Sequence, residues 1–276
     1  AVASLSSEQM AALSADQFVS LSSTQITGLS TDMVTALSDT QLQAMTSTQI
    51  SALTSKALSG LTLTQIAALS SRQLSALSAT QMAYLSVDQV AGFSPTQLAL
   101  LSTTQIKGLS AADVAALANT QIGVLSTTQL SALSTTAIKG LSEAQILGLT
   151  STQLRYLPQT LMAALTTTEL STLVSTQWSA LSGAQISAFS SDQATVMTTT
   201  VLQALTTTQI KGLTGSDIGE FTTTQLNSLS NNQIAALTAT QIAAMSTASL
   251  SAMTSTQLQA LTSTQVRALT ADNCAP

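Results

Sequence analysis

Leu101-Ser102-Thr103-Thr104-Gln105-Ile106-Lys107-Gly108 is one copy of an eight-residue phrase that recurs, with substitutions, 34 times from Leu5 onward without an inserted or deleted residue. Its first position is apolar in every copy from Leu5 to Leu269, varied only by Met45, Phe93, Phe189, Met197, Phe221, Met245 and Met253. A second apolar position follows five residues later, from Met10 through Ile106 and Trp178 to Cys274. A loop absorbs insertions, whereas a stack of equal units loses contact with its neighbours when the register slips. Each octad is therefore expected to be one structural step of a solenoid.

Periodicity excludes the two simplest arrangements. In an unbroken α-helix, at about 100° per residue, an eight-residue step rotates the Leu position by about 80° per copy and spreads it around the whole cylinder. In a flat strand, two apolar positions five residues apart point to opposite faces. The chain must turn once per octad. Ser102 and Gln105 have the spacing of a capping box, in which the hydroxyl accepts the N3 amide and the Gln side chain reaches back to the cap amide; Leu101 and Ile106 are then the two halves of a hydrophobic staple. Ser or Thr fills the cap position in all but three of the 34 octads, those with Ala118, Pro158 and Val174. The expectation is an all-α superhelix of very short capped helices, one per octad, forming a single solenoid over residues 1–276 whose last copy is degenerate. Two buried side chains and a cap do not outweigh the cost of fixing eight backbones, so octads fold only by stacking. The residue before each Leu is often Ala or Gly, as at Gly60, Gly92 and Gly108, which suits a sharp reversal and a close helix approach. The rival architecture is a β-solenoid with outward Ser and Thr ladders. Its corners favour Gly, Asn or Asp, where this chain mostly carries Ala, and Gln and Leu are poor matches for its faces.

Composition narrows the chemistry. Charged residues make up 7% of the chain, the net charge is −5 and histidine is absent. This balance offers no electrostatic footprint for nucleic acid, and the mean hydropathy of +0.36 belongs to a long core, because Ser, Thr or Gln interrupts the apolar positions far short of a spanning segment. Without histidine, Ser-His-Asp catalysis and His-metal sites are ruled out, and the serines are accounted for by capping. Glu8, Asp16, Asp32, Asp88 and Asp192 fall in first helical turns, where negative charge suits the helix dipole. Asp113, Glu169 and Asp217 replace the Gln and still cap. Lys107, Lys139 and Lys211 repeat in Ile-Lys-Gly triplets and read as solvated charges late in a helix. Trp178, Tyr84 and Tyr156 read as fillers of wider parts of the core or groove. No catalytic, cofactor-binding or metal-binding residue is expected, and no enzymatic activity.

At the level of Leu-Ser-Thr-Thr-Gln-Ile and Leu-Thr-Ser-Thr-Gln-Leu the chain resembles octapeptide-repeat tracts of secreted bacterial surface and adhesin-like proteins, some described in terms of haem utilisation or adhesion. The resemblance covers nearly the whole chain and implies a secreted or cell-surface location in a bacterium. Haem binding is not carried over, since the chain offers only Met, Tyr and one Cys as ligands. The opening Ala1-Val2-Ala3 suits either a mature chain after signal removal or an excised fragment.

The expected function is a structural subunit of an extracellular filament or matrix; the alternatives are a stalk or adhesive segment of a larger surface protein and a threonine-array binder of ice or polysaccharide. Leu5 to Met10 is already an ordinary octad, and Leu261 to Ala268 is another before the degenerate copy with Asn273. Neither has the polar outer face of a capping repeat, so the expected partner is a second copy added head to tail. Cys274 is a candidate intermolecular contact: it is either a small core residue of the last octad or a crosslink between subunits.

Overall fold

The computed structural model describes residues 2–269, and over that range the protein is helical without a strand. After a short 3-10 turn at Val2–Ser4, 33 helices of four to six residues follow among the described residues, from Ser7–Ala11 to Ser263–Arg267, one in each of the first 33 octads. The fold is an all-α solenoid. The residues form two compact units, Ala1–Leu141 and Ser142–Pro276, and each repeats the same construction.

The octad 101–108 shows why the chain turns where it does. Leu101 (φ −64°, ψ 136°) and Ser102 (φ −69°, ψ 158°) are both extended, and the helix Thr103–Ile106 begins immediately after them. The Gln105 amide donates to Ser102 Oγ at 3.3 Å and the Ser102 amide donates to Gln105 Oε1 at 2.8 Å. Each closes an amide that the helix start would otherwise leave open. These two extended residues at the head of the octad are enough to break the helix, so the reversal needs no left-handed residue. No described residue has a positive φ, and Gly92, at the end of its helix, is right-handed (φ −73°, ψ −11°). The glycines are thus not the reversal points that their position suggests.

Their role is close approach. In the first unit the helix Thr103–Ile106 packs against Ala79–Ala83 on one side and Thr127–Ala132 on the other, each three helices away along the chain. A methyl group on residue 108 would overlap the carbonyl oxygen of Ala79, and one on residue 60 that of Thr31, while a methyl on Gly123 meets nothing within 4 Å. Gly108→Ala is therefore expected to destabilise the first unit by about 1–3 kcal/mol, since the obstructing atom is backbone. Gly123→Ala is expected to stabilise it by about 0.5–1 kcal/mol through the unfolded chain and helix propensity. Urea midpoints of the two variants check the difference in sign.

The core is a column of the two apolar positions. Leu101 and Ile106 are both buried, as are their equivalents in both units apart from the first and last described turns. Trp178 fills the second apolar position of its octad, with its ring edge-on to Phe189 at 5.8 Å and 75°. Tyr84 and Tyr156 differ from expectation: each is 62% exposed at the last position of its octad. In these two octads the position lies at the surface, whereas Gly60 at the same octad position is buried, so size there does not signal a wider core. The irregular run from Pro158 to Val201 leaves the register intact. Pro158 and Val174 start helices without a side-chain cap, and Leu161 and Val201 fill the Gln position as buried side chains.

Candidate functional site

The most distinctive chemistry of the array is at the fifth octad position. Gln129, near the start of the helix Thr127–Ala132, is buried; its Oε1 accepts the Ser126 amide at 2.9 Å, as a capping box requires. Its Nε2 then donates to the backbone carbonyls of Leu98 at 2.8 Å, Ala99 at 3.3 Å and Leu101 at 2.8 Å. One amide thus caps its own helix and ties it to the preceding turn. The second unit does the same: Gln233 Nε2 reaches Leu202 O at 2.7 Å and Leu205 O at 2.8 Å. The register is constant, with acceptors 28 to 31 residues earlier in each case. One circuit of the chain therefore takes between three and four octads.

The capping half of this arrangement follows from the Ser-x-x-Gln spacing, but the cross-turn half does not. A signal for it exists: Glu satisfies a capping box as well as Gln does, yet Glu169 is the one glutamate at the fifth position of the 34 octads. A preference for the amide over the carboxylate marks a need for a donor as well as an acceptor. Asp113, Glu169 and Asp217 do cap, accepting the amides of Ser110, Thr166 and Thr214 at 2.8, 2.6 and 2.7 Å. All three are buried.

The other singled-out residues are dispersed. Asp16, Asp32, Asp88 and Asp192 are exposed in first turns, and Lys107, Lys139 and Lys211 are exposed at helix ends. Glu8 is fully exposed, and its carboxyl is held below the ordinary value by its own backbone N–H and then by the Ser6 hydroxyl. Two shallow grooves lie between stacked turns of the first unit, one beside Ser47, Ser70 and Arg72, the other beside Asp32, Thr54 and Lys56. Neither pairs a nucleophile with a base. No group of three or more Cys, Asp or Glu able to hold a metal occurs among the described residues, and none of their helices is long and apolar enough to cross a membrane. Cys274 lies outside the described residues.

The first and last described turns differ from the rest in exposure. In the first turn Leu5, Leu13 and Leu21 are half-buried and Gln9, Gln17 and Gln25 are exposed. These glutamines still cap, accepting the amides of Ser6, Ser14 and Ser22 at 2.8, 2.9 and 2.8 Å, but their Nε2 groups meet no carbonyl of an earlier turn. In the last described turn the opposite set is open. Leu250 is half-buried, Leu258 is 47% and Val266 51% exposed, whereas Ile234 and Ile242 at the same octad position are buried. The Leu and Gln positions thus face the preceding turn, and the second apolar position with its carbonyl faces the following one.

With this geometry in view, the repeat itself can be compared with known ones. Residues 122–157, 215–247 and 241–271 match the ALTTAQ repeat. The chain is a repeat-type protein. Ala236-Leu237-Thr238-Ala239-Thr240-Gln241, within the matched stretches, shares four of the six letters of that repeat's name, with the fourth and fifth exchanged. In this stretch Leu237 is buried, Thr238 caps, and Gln241 accepts the Thr238 amide at 2.7 Å while donating to Ile210 O at 2.8 Å. The ALTTAQ match therefore falls on the residues that build the solenoid. No curated protein matches the chain.

Proposed function

We propose that this chain is a non-enzymatic structural protein of a bacterial cell surface or extracellular matrix, and that copies of it join head to tail into filaments. The observation that carries this reading is the complementarity of the two open faces. One presents three Gln amide donors beside half-buried leucines, and the other presents the aliphatic side chains and backbone carbonyls that such glutamines and leucines cover inside each unit. The contact between successive turns is itself the template for the contact between copies. Because the two faces differ, the contact is heterologous and continues without closing. The sparse charge and the Ser and Thr surface leave no competing feature that gathers reactive groups.

The 276-residue polypeptide is expected to show concentration-dependent oligomers by light scattering and filaments by electron microscopy. The triple substitution Gln9→Glu, Gln17→Glu and Gln25→Glu keeps the cap acceptors, as Glu169 does naturally, but sets carboxylates against the carbonyls of an incoming copy. It is expected to yield folded monomers with unchanged circular dichroism. A wild-type chain that stays monomeric at high concentration removes the filament reading in favour of a stalk segment. Oligomers that survive the triple substitution show that the joining face lies elsewhere.

A further inference from the structure

Asp217 stands where the neighbouring octads carry the cross-turn glutamine. It belongs to the helix Gly215–Glu220 and is 1% exposed. One carboxylate oxygen, Oδ2, accepts the Thr214 amide at 2.7 Å; the other, Oδ1, is buried without a hydrogen-bond partner. Lys211, the basic residue nearest in sequence, is exposed on the preceding helix, Thr207–Gly212. A carboxylate taken out of water in this way is costly unless a positive centre or a donor compensates it.

The flanking octads show what surrounds the stranded oxygen. Gln209 Nε2 donates to Trp178 O at 2.9 Å and Leu181 O at 2.8 Å, and Gln225 Nε2 to Thr195 O at 3.0 Å and Met197 O at 2.9 Å. The same register sets the carbonyls of Ile186 and Phe189 opposite Asp217. Where Gln209 and Gln225 place an N–H donor against such oxygens, Asp217 supplies another oxygen. Aspartate is also one methylene shorter than glutamine, so its carboxylate reaches less far toward those carbonyls.

We propose that Asp217 Oδ1 and the carbonyl oxygens of Ile186 and Phe189 bind a monovalent cation of the size of sodium, which ties this turn of the second unit to the one before it. The donor set is all oxygen, which selects a hard cation over zinc or copper. A single carboxylate balances one positive charge, which favours a monovalent ion over calcium, whose sites gather several carboxylates. Asp113 in the first unit differs: its Oδ2 accepts both the amide and the hydroxyl of Ser110, at 2.8 and 2.7 Å, and it has no stranded buried oxygen.

The test is independent of assembly. Thermal melting of the full chain at one protein concentration is compared in sodium chloride and in N-methylglucamine chloride of equal ionic strength, alongside the sodium-23 NMR line width. The wild type is expected to melt about 2–4 °C higher in sodium and to broaden the sodium line. Asp217→Gln restores the residue that the array uses at this place. It is expected to melt at one temperature in both salts, no lower than the wild type in N-methylglucamine, and to lose the broadening. A wild type equally stable in both salts, the result expected of water alone beside Asp217, overturns the proposal. So does a sodium dependence that Asp217→Gln retains.

Discussion

Ile106→Asp is expected to abolish the folded structure around its octad, at a cost of more than about 4 kcal/mol, whereas Thr103→Ala three residues earlier changes stability by less than about 0.5 kcal/mol. Ile106 is 0% exposed, and its helix packs between Ala79–Ala83 and Thr127–Ala132. A carboxylate there has no counter-ion and no donor, and it removes an aliphatic group from a close-packed column. Thr103 is exposed at the first position of its helix, where a hydroxyl gains little over water. Because each octad is held by its neighbours, the damage should spread along the array and lower the helical circular dichroism signal by more than one octad's share. Equal urea midpoints for the two variants would show that the inside and outside of the solenoid have been exchanged.

The second large effect is expected from Gln129→Glu, set against Gln129→Met. Glutamate keeps the oxygen that accepts the Ser126 amide, so helix capping is preserved. Its other oxygen, however, replaces the donor to Leu98, Ala99 and Leu101, and sets a buried negative charge against three carbonyls. The expected loss is about 3–5 kcal/mol at neutral pH. Methionine forfeits the donor and the cap acceptor but brings no charge. Met33 occupies the equivalent position as a buried side chain, and the Leu98 carbonyl retains its local bond from the Leu101 amide at 3.2 Å. The expected loss is about 1–2 kcal/mol. Lowering the pH enough to protonate the introduced glutamate should recover part of its deficit, because a carboxylic acid regains one donor. Denaturant titrations at two pH values separate these outcomes. If glutamate costs no more than methionine, the glutamine acts as a cap alone.

The contrast between these two residues shows how far the octad can be read locally. Ile106 and Ser102 act within one copy: burial follows from the apolar period and capping from a spacing of three residues, so both are legible in a single phrase. Gln105 and Gln129 act within one copy and across a turn. Only the first role has a local spacing; the second is set by the radius of the coil, which depends on how closely helices three apart can pack. Gly108 carries the same lesson. Its smallness suits a reversal or a close approach, and only the fold shows that it serves the approach of the Ala79 carbonyl, a residue distant in the chain. Tyr84 and Tyr156 could not be placed from size alone, because whether the last octad position faces the core or solvent depends on the direction in which the helices stack.

Taken by itself, the sequence determined that this protein is an array of 34 equal steps, that all but three of them carry a Ser or Thr cap, that two apolar positions are inside, and that no histidine-dependent chemistry is present. Those properties depend on period, spacing and composition, which are local or summed quantities. Tertiary structure alone decided that helices pack three apart, that the glutamine amides bridge to carbonyls 28 to 31 residues earlier, that the backbone Gly108 admits is that of Ala79 and that Asp217 is buried with one oxygen unpartnered. The physical reason is that an octad constrains its own dihedrals and caps strongly, but the number of octads in a circuit is settled only when side chains from different turns fill the same space.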